Sequence, residues 1–286
     1  MPNNYSSIEP LYHPSGMAEE RMAAVSVTRV AETRDAAEDV VVVEEPLEIA
    51  AAWTGADGIP REKTISVTMR TPGDDFDLAA GFLFTEGLVA APDEIESIRH
   101  WGSPNRVRVA LAPGARVDTA KLERHFYTTS SCGICGKTSI DAIRVAHEPL
   151  PDRPPAPAAI LRVLPRVLRE AQLTFPATGG VHGAGLVDRR GSLLRVREDI
   201  GRHNAVDKLV GAYVRDRTLP PPDALLIVSS RASFELVQKA IVAKIGTIAF
   251  VGAPSSLAIE LAREMNVTLL AFVRDGRFNV YAGEVT

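Results

Sequence analysis

The sequence predicts an α/β protein whose second half is built on a largely parallel sheet and whose first half is a mixed α+β region. Three observations carry this. After residue 180 short apolar runs alternate with helical segments, the order that sets a helix between neighbouring strands. The run Ala224–Val228 is apolar at every position, as a strand buried on both faces requires. A chain of 286 residues with 45% hydrophobic side chains also has enough core for one large domain or two ordinary ones.

Residues 1–24 read as a disordered tail, because few apolar positions there offset the cost of ordering the chain. Residues 25–150 form the mixed region. Val40–Val43 is a short β-branched run, and Ile65, Val67 and Met69 alternate like a half-buried strand, as do Val107, Val109 and Leu111. Between them lies a helix with Asp75 as its expected N-cap, Leu78, Ala79, Phe82 and Leu83 on one face, and Gly87 as the residue just past its end. A further short helix is expected over residues 118–125. Pro151, Pro154, Pro155 and Pro157 interrupt regular structure and begin a linker over 151–177 that ends in a helix with Pro165 in its first turn.

The α/β domain spans 178–286. Strands are expected at Ala184–Val187, Leu193–Val196, Ala224–Val228, Thr247–Val251, Val267–Val273 and Phe278–Tyr281, with helices starting at Asn204 and over Ser233–Lys244 and Ser255–Met265.

A formal charge of -4 argues against broad nucleic-acid affinity, which rests on clustered Lys and Arg. The first 25 residues lack the basic start and apolar run of a signal peptide, and no stretch approaches the roughly 18 apolar residues of a membrane span. Cys132 and Cys135 are the only two cysteines, in Ser130-Ser131-Cys132-Gly133-Ile134-Cys135-Gly136-Lys137. A close pair of this kind fits reactive or metal-binding thiols in a reducing compartment, so a cytoplasmic protein is expected.

In an α/β sheet, ligands sit outside the carboxyl ends of the strands, where helix N-termini present free N–H groups. Three turns there are polar and small: Ser229-Ser230-Arg231-Ala232-Ser233, Gly252-Ala253-Pro254-Ser255-Ser256 and Arg274-Asp275-Gly276-Arg277. Together they offer an anion site, although Ser233 and Ser255 are equally explained as helix caps. The segment Thr178-Gly179-Gly180-Val181-His182-Gly183-Ala184-Gly185 is not a dinucleotide fingerprint, since it precedes a strand instead of opening a helix. It reads as a tight loop, with His182 a candidate site residue. Asp199-Ile200-Gly201-Arg202-His203-Asn204 reads as a shaping element before a helix.

Three chemistries compete for the C-x-x-C pair. Zinc would need two more ligands, for which His182 and His203 are candidates, and the P-C-x-x-C with H-x-E set of zinc deaminases is absent. A dithiol oxidoreductase would place the pair at a helix start, which the flanking glycines weaken. A sulfur shuttle needs one exposed thiolate, with Lys137 supplying positive charge and Cys135 able to release the sulfur.

The residues then become more specific. The thiol block, Arg70-Thr71-Pro72-Gly73-Asp74-Asp75, Gly81-Phe82-Leu83-Phe84-Thr85-Glu86-Gly87, Thr178–His182, Glu198–Lys208 and Ser229-Ser230-Arg231 resemble, in order, the formate dehydrogenase accessory protein family. The resemblance implies a sulfur carrier that takes sulfur from a cysteine desulfurase and passes it to the molybdenum cofactor destined for formate dehydrogenase. It implies that Cys132 holds the persulfide and Cys135 assists. It implies that Phe272, Val273, Arg274, Asp275, Gly276 and Arg277 contact the bis-molybdopterin guanine dinucleotide form of that cofactor. A homodimer and a C-terminal three-layer α/β/α domain like the cytidine deaminase fold, without its zinc motif, are also implied. The rival expectations are a cofactor-holding chaperone with a zinc or disulfide latch, and a dithiol oxidoreductase.

Overall fold

A computed structural model describes residues 21–55, 57–115, 148–274 and 276–286. The helix expected over 118–125 lies outside the described residues. The chain opens with a hairpin of β1 (Met22–Val30) and β2 (Arg34–Val42), which pair only with each other. Met22, Ala23 and Ala24, read above as the end of the tail, are the start of β1, and Val40–Val43 is the end of β2 and its exit.

A four-stranded sheet follows, made of β3 (Glu45–Thr54), β4 (Pro60–Arg70), β5 (Ile95–His100) and β6 (Arg106–Leu111) in the order β4-β3-β6-β5. Helix α1 (Asp75–Thr85) covers it. Its N-cap is Asp74, in a left-handed conformation, rather than Asp75. Asp75 is instead committed to buried Arg70, which donates to it from Nε at 3.0 Å and Nη2 at 2.9 Å. Gly87 does follow the helix end, at φ 68°.

The linker carries α2 (Ala158–Leu161), α3 (Leu164–Ala171) and α4 (Phe175–Thr178). Beyond it are β7 (His182–Val187), β8 (Leu193–Asp199), α5 (Arg202–Arg215), β9 (Leu225–Val228), α6 (Phe234–Val242), β10 (Thr247–Phe250), α7 (Ser256–Glu264), β11 (Thr268–Arg274) and β12 (Arg277–Ala282). The six strands run in the order β12-β11-β10-β9-β7-β8. The expectation of a largely parallel sheet is corrected: only β9, β10 and β11 are mutually parallel. The reason is connection length, because the short turns after β7 and β11 leave no room for the crossover that parallel neighbours need.

Helices cover both faces of this sheet. Leu161, Leu164 and Leu168 pack with Leu225, Ile227 and Leu270 on one side. On the other, α5, α6 and α7 join a cluster that runs without a break into the four-stranded sheet through Leu47, Val107 and Leu78. The halves therefore share one core. Their contact is α1 on α5, and it is backbone against backbone: a Cβ on Gly81 would stand 1.8 Å from the Asp207 carbonyl oxygen, and one on Gly211 would stand 1.8 Å from that of Asp77.

Among the described residues, no helix is long and apolar enough to cross a membrane.

Candidate functional site

The site begins with the carboxyl ends of the parallel strands. Successive turns there are joined sideways by backbone hydrogen bonds. Ser229 N donates to Gly183 O at 3.0 Å, Gly252 N to Ser230 O at 2.9 Å, and Phe272 N to Gly252 O at 3.2 Å. The Gly-rich loop and the three polar turns are thus one surface. Ser255 caps α7, accepting from Ala258 N at 3.2 Å. Ser233 does not cap α6 with its side chain, and its buried hydroxyl has no hydrogen-bond partner.

A cleft of about 550 Å³ opens on this surface, within the range of small-molecule sites. Gly179, Gly180, His182, Ser229, Val273 and Arg274 line one part of it. The other wall is α3 and the start of α4, with Arg166, Arg169, Gln172 and Phe175. Its charged lining residues, Arg166, Arg169 and Arg274, are all cationic.

The imidazole of His182 stands with Nδ1 3.3 Å from Ser229 Oγ, which also accepts the Gly183 N–H at 3.0 Å. Burial lowers the His182 pKa, and the Arg202 guanidinium lowers it further, so the ring is neutral near pH 7. With Oγ already accepting one bond, the pair has two arrangements, one presenting a ring N–H and the other a hydroxyl proton. Either gives the floor of the cleft a donor for an oxygen-rich ligand.

Of the residues expected at a cofactor site, Phe272, Val273 and Arg274 end β11, while Gly276 and Arg277 turn the chain into β12. Asp275 lies outside the described residues. Val273 and Arg274 reach the cleft, and Arg277 and Arg231 are not among the lining groups. Phe272 has φ 52° at a register shift in the β11–β12 pairing, so the backbone bulges there. Ala271 and Val273 beside it are fully buried, whereas Phe272 is 39% exposed. A left-handed conformation at a bulky aromatic costs about 1–3 kcal/mol, and such strain collects at ligand sites.

Cys132 and Cys135 lie outside the described residues. Among the described residues there is no cluster of three or more metal-ligating side chains, and the two histidines considered for zinc have different neighbours. His182 faces Ser229, and His203 Nε2 stands 3.9 Å from the Glu235 carboxylate.

Two features of the site have little signal in the sequence. The α3 wall is one: its arginines sit in a segment that reads as linker and packing helix, and only the tertiary fold brings them to the cleft. The other is Glu198. Its buried carboxylate accepts from Gln172 Nε2 at 3.0 Å and from the backbone N–H groups of Leu173, Thr174 and Phe175 at 2.9, 2.8 and 3.0 Å. Those donors open α4, so Glu198 fixes the segment that leads into Gly179-Gly180. Its neighbour Asp199 holds Lys208 Nζ at 2.7 Å and accepts from Thr71 N, Gly201 N and Asn204 Nδ2. The expectation that Asn204 begins a helix is accordingly corrected, because α5 starts at Arg202 after Gly201 and the Asn204 side chain ties Asp199 to Met69 O. The 198–208 block shapes the site, as the sequence suggested.

Relatives give this surface a context. The chain is 48% identical over 256 residues to a sulfur carrier protein FdhD of Streptomyces coelicolor, an alignment covering 86% of this chain and 88% of the relative. It is 44% identical over 274 residues to the sulfur carrier protein FdhD of Anaeromyxobacter dehalogenans, covering 91% and 92%. The crystal structure of a protein described as a formate dehydrogenase accessory protein, from Desulfotalea psychrophila, superposes with a TM-score of 0.73 at 26% identity, covering 93% of this chain and 99% of that one. The FdhD/NarQ family model matches residues 42–286, from the end of the hairpin to the last residue, and on that extent of match this chain belongs to the FdhD/NarQ family.

Proposed function

We propose that this protein is a cytoplasmic sulfur carrier for formate dehydrogenase, with Cys132 as the sulfur-bearing residue. The observation that carries the reading is the relation to proteins named as sulfur carriers over 86% of the chain, joined to a sequence whose only thiols are Cys132 and Cys135.

The transfer can be written so that it balances. The Cys132 thiolate attacks the terminal sulfur of a persulfide on a cysteine desulfurase; the new S–S bond forms on Cys132, and the donor cysteine leaves as a thiolate. Cys135 then attacks the Cys132 sulfur. A disulfide forms between the two cysteines, which are oxidised by two electrons, and the outer sulfur leaves reduced, as hydrosulfide. That sulfide replaces an oxygen ligand on the molybdenum of the bis-molybdopterin guanine dinucleotide, which is the substrate, and the oxygen departs as water or hydroxide. A dithiol reductant restores the pair.

The cleft is the proposed seat of the guanine dinucleotide end, with Val273 and Arg274 on its rim. Its cationic lining suits the pyrophosphate, and strained, exposed Phe272, next in sequence to the lining residues Val273 and Arg274, is the aromatic proposed to meet the base just outside the cleft. A homodimer and a second half similar to the cytidine deaminase fold belong to the same reading. In a strain lacking its own carrier, Cys132→Ala should abolish formate dehydrogenase activity while leaving this protein's thermal midpoint unchanged. Maturation at the wild-type level by that variant would sink the carrier reading and leave a cofactor-holding role.

A further inference from the structure

Val273 and Arg274, at the end of β11, form one side of the cleft, and a ligand with two charged phosphates needs an opposing side. Arg166 and Arg169 are three residues apart on α3, which places them on neighbouring positions of one helical face. The buried Leu164 and Leu168 anchor that helix against β7, β9 and β11, so the arginines are carried on a fixed element. Arg274 ends the strand across the cleft. We infer that Arg166 and Arg169 form, with Arg274, a three-guanidinium clamp for the diphosphate of a nucleoside diphosphate group.

The charge balance of the cleft supports this. Among the described residues, neither Arg169 nor Arg274 has a carboxylate within ion-pair distance. Arg166 has one partner, Glu170 at 3.5 Å, and both side chains are more than half exposed, so that pair contributes little and does not hold the guanidinium. The buried carboxylate behind this wall, Glu198, is spent on the four N–H groups already described, one of them from Gln172. Two guanidiniums without a carboxylate partner and a third held only by a weak exposed pair, around one opening, match the charge of a diphosphate better than that of a single phosphodiester, and each can donate two parallel hydrogen bonds. The neutral donor pair His182–Ser229 lies at the floor, away from any need for a fourth charge. Nothing in the family motif on the 272–277 loop points to α3. The inference rests on the nucleotide reading above.

The test is calorimetric titration of the full-length protein with GDP, GMP, guanosine and inorganic pyrophosphate. The wild type should bind GDP and pyrophosphate in preference to GMP, and guanosine weakest. Arg169→Gln and Arg166→Gln should each weaken GDP by about tenfold to a hundredfold, the range of one charge-assisted contact, and leave guanosine unchanged. Arg169→Lys should recover part of the loss, because it returns the charge but not the fork. Because both side chains are exposed, thermal midpoints without nucleotide should match the wild type. Variants that bind GDP like the wild type would overturn the clamp and leave the nucleotide reading standing. A loss equal for GDP and guanosine would overturn it too, since that is the mark of a misplaced helix. If the wild type itself takes up no GDP at millimolar concentration, the nucleotide reading falls and the clamp with it.

Discussion

Phe272 is held at φ 52° with its ring partly in solvent, between two alanine- and valine-sized neighbours that are fully buried. A fold gains nothing from that arrangement, whereas a ligand-binding loop gains a rigid, outward aromatic. Phe272→Gly should therefore change unfolding free energy by no more than about 1 kcal/mol, because relief of the left-handed backbone offsets the lost packing. Truncating a buried phenylalanine costs about 3–5 kcal/mol. The same variant should lose the thermal protection that GDP gives the wild type; a large fall in stability with protection retained would make Phe272 a core residue. At Glu235, burial pushes the carboxyl pKa up, and facing His203 together with the residue's own backbone N–H outweighs it, holding the value at about 2. A depressed carboxylate pKa stabilises the fold fully above its unfolded value of 4.5 and loses that contribution as pH falls toward 2. Glu235→Gln should accordingly be less stable than the wild type at pH 7, with the gap in urea midpoints closing between pH 4.5 and pH 2. A gap that stays constant over that window would show that the charge of Glu235 plays no part. Neither residue advertises these roles in sequence: Phe272 was marked only by resemblance, and Glu235 sits in an ordinary helical first turn.

At the scale of elements, the crossing of α1 on α5 is what joins the two halves. Gly81 and Gly211 let the helices meet at their backbones. Buried ion pairs then surround the crossing. Lys239 Nζ contacts Asp207, Glu86 and Thr85 at 2.9 Å, and Asp77 receives Arg197 at 2.7 Å together with Arg215. Burial alone would neutralise Lys239, and the Asp207 and Glu86 carboxylates hold it cationic, with its pKa above the usual lysine value. Gly211→Ala forces a methyl into the Asp77 carbonyl and should cost about 3 kcal/mol in urea unfolding. A loss below about 1 kcal/mol would mean that the helices can separate freely. Helix α1 was legible because its apolar residues recur on one face and Gly87 stops it. Of β1, β2 and β3 only the end of β2, in the Val40–Val43 run, was. In β1 Val25 and Val27 do alternate with Ser26 and Thr28, but the segments beside it offer few apolar positions; β2 is mostly polar and exposed, and β3 places Ala50, Ala51 and Ala52 in its centre, residues with little strand preference. The mixed character of the large sheet was also hidden, because apolar runs report burial and not direction.

For the whole molecule, the sequence placed the polar turns at strand ends, and the lateral hydrogen bonds between them join those turns into one surface, on which the cleft opens at Ser229 and Arg274. What sequence could not supply was the opposite wall, since α3 reaches the cleft only after the linker folds back over the sheet. In the proposed function a thiol pair carries sulfur and a cationic cleft holds the nucleotide end of the acceptor. Sulfur transfer in this reading starts at Cys132. Reduced protein incubated with a cysteine desulfurase and cysteine, then digested without reductant and weighed by mass spectrometry, should show one added sulfur on Cys132 of the peptide carrying both cysteines, and the label should disappear in Cys132→Ala. A peptide that stays unmodified beside an active desulfurase, or a sulfur that persists in Cys132→Ala, would contradict the account.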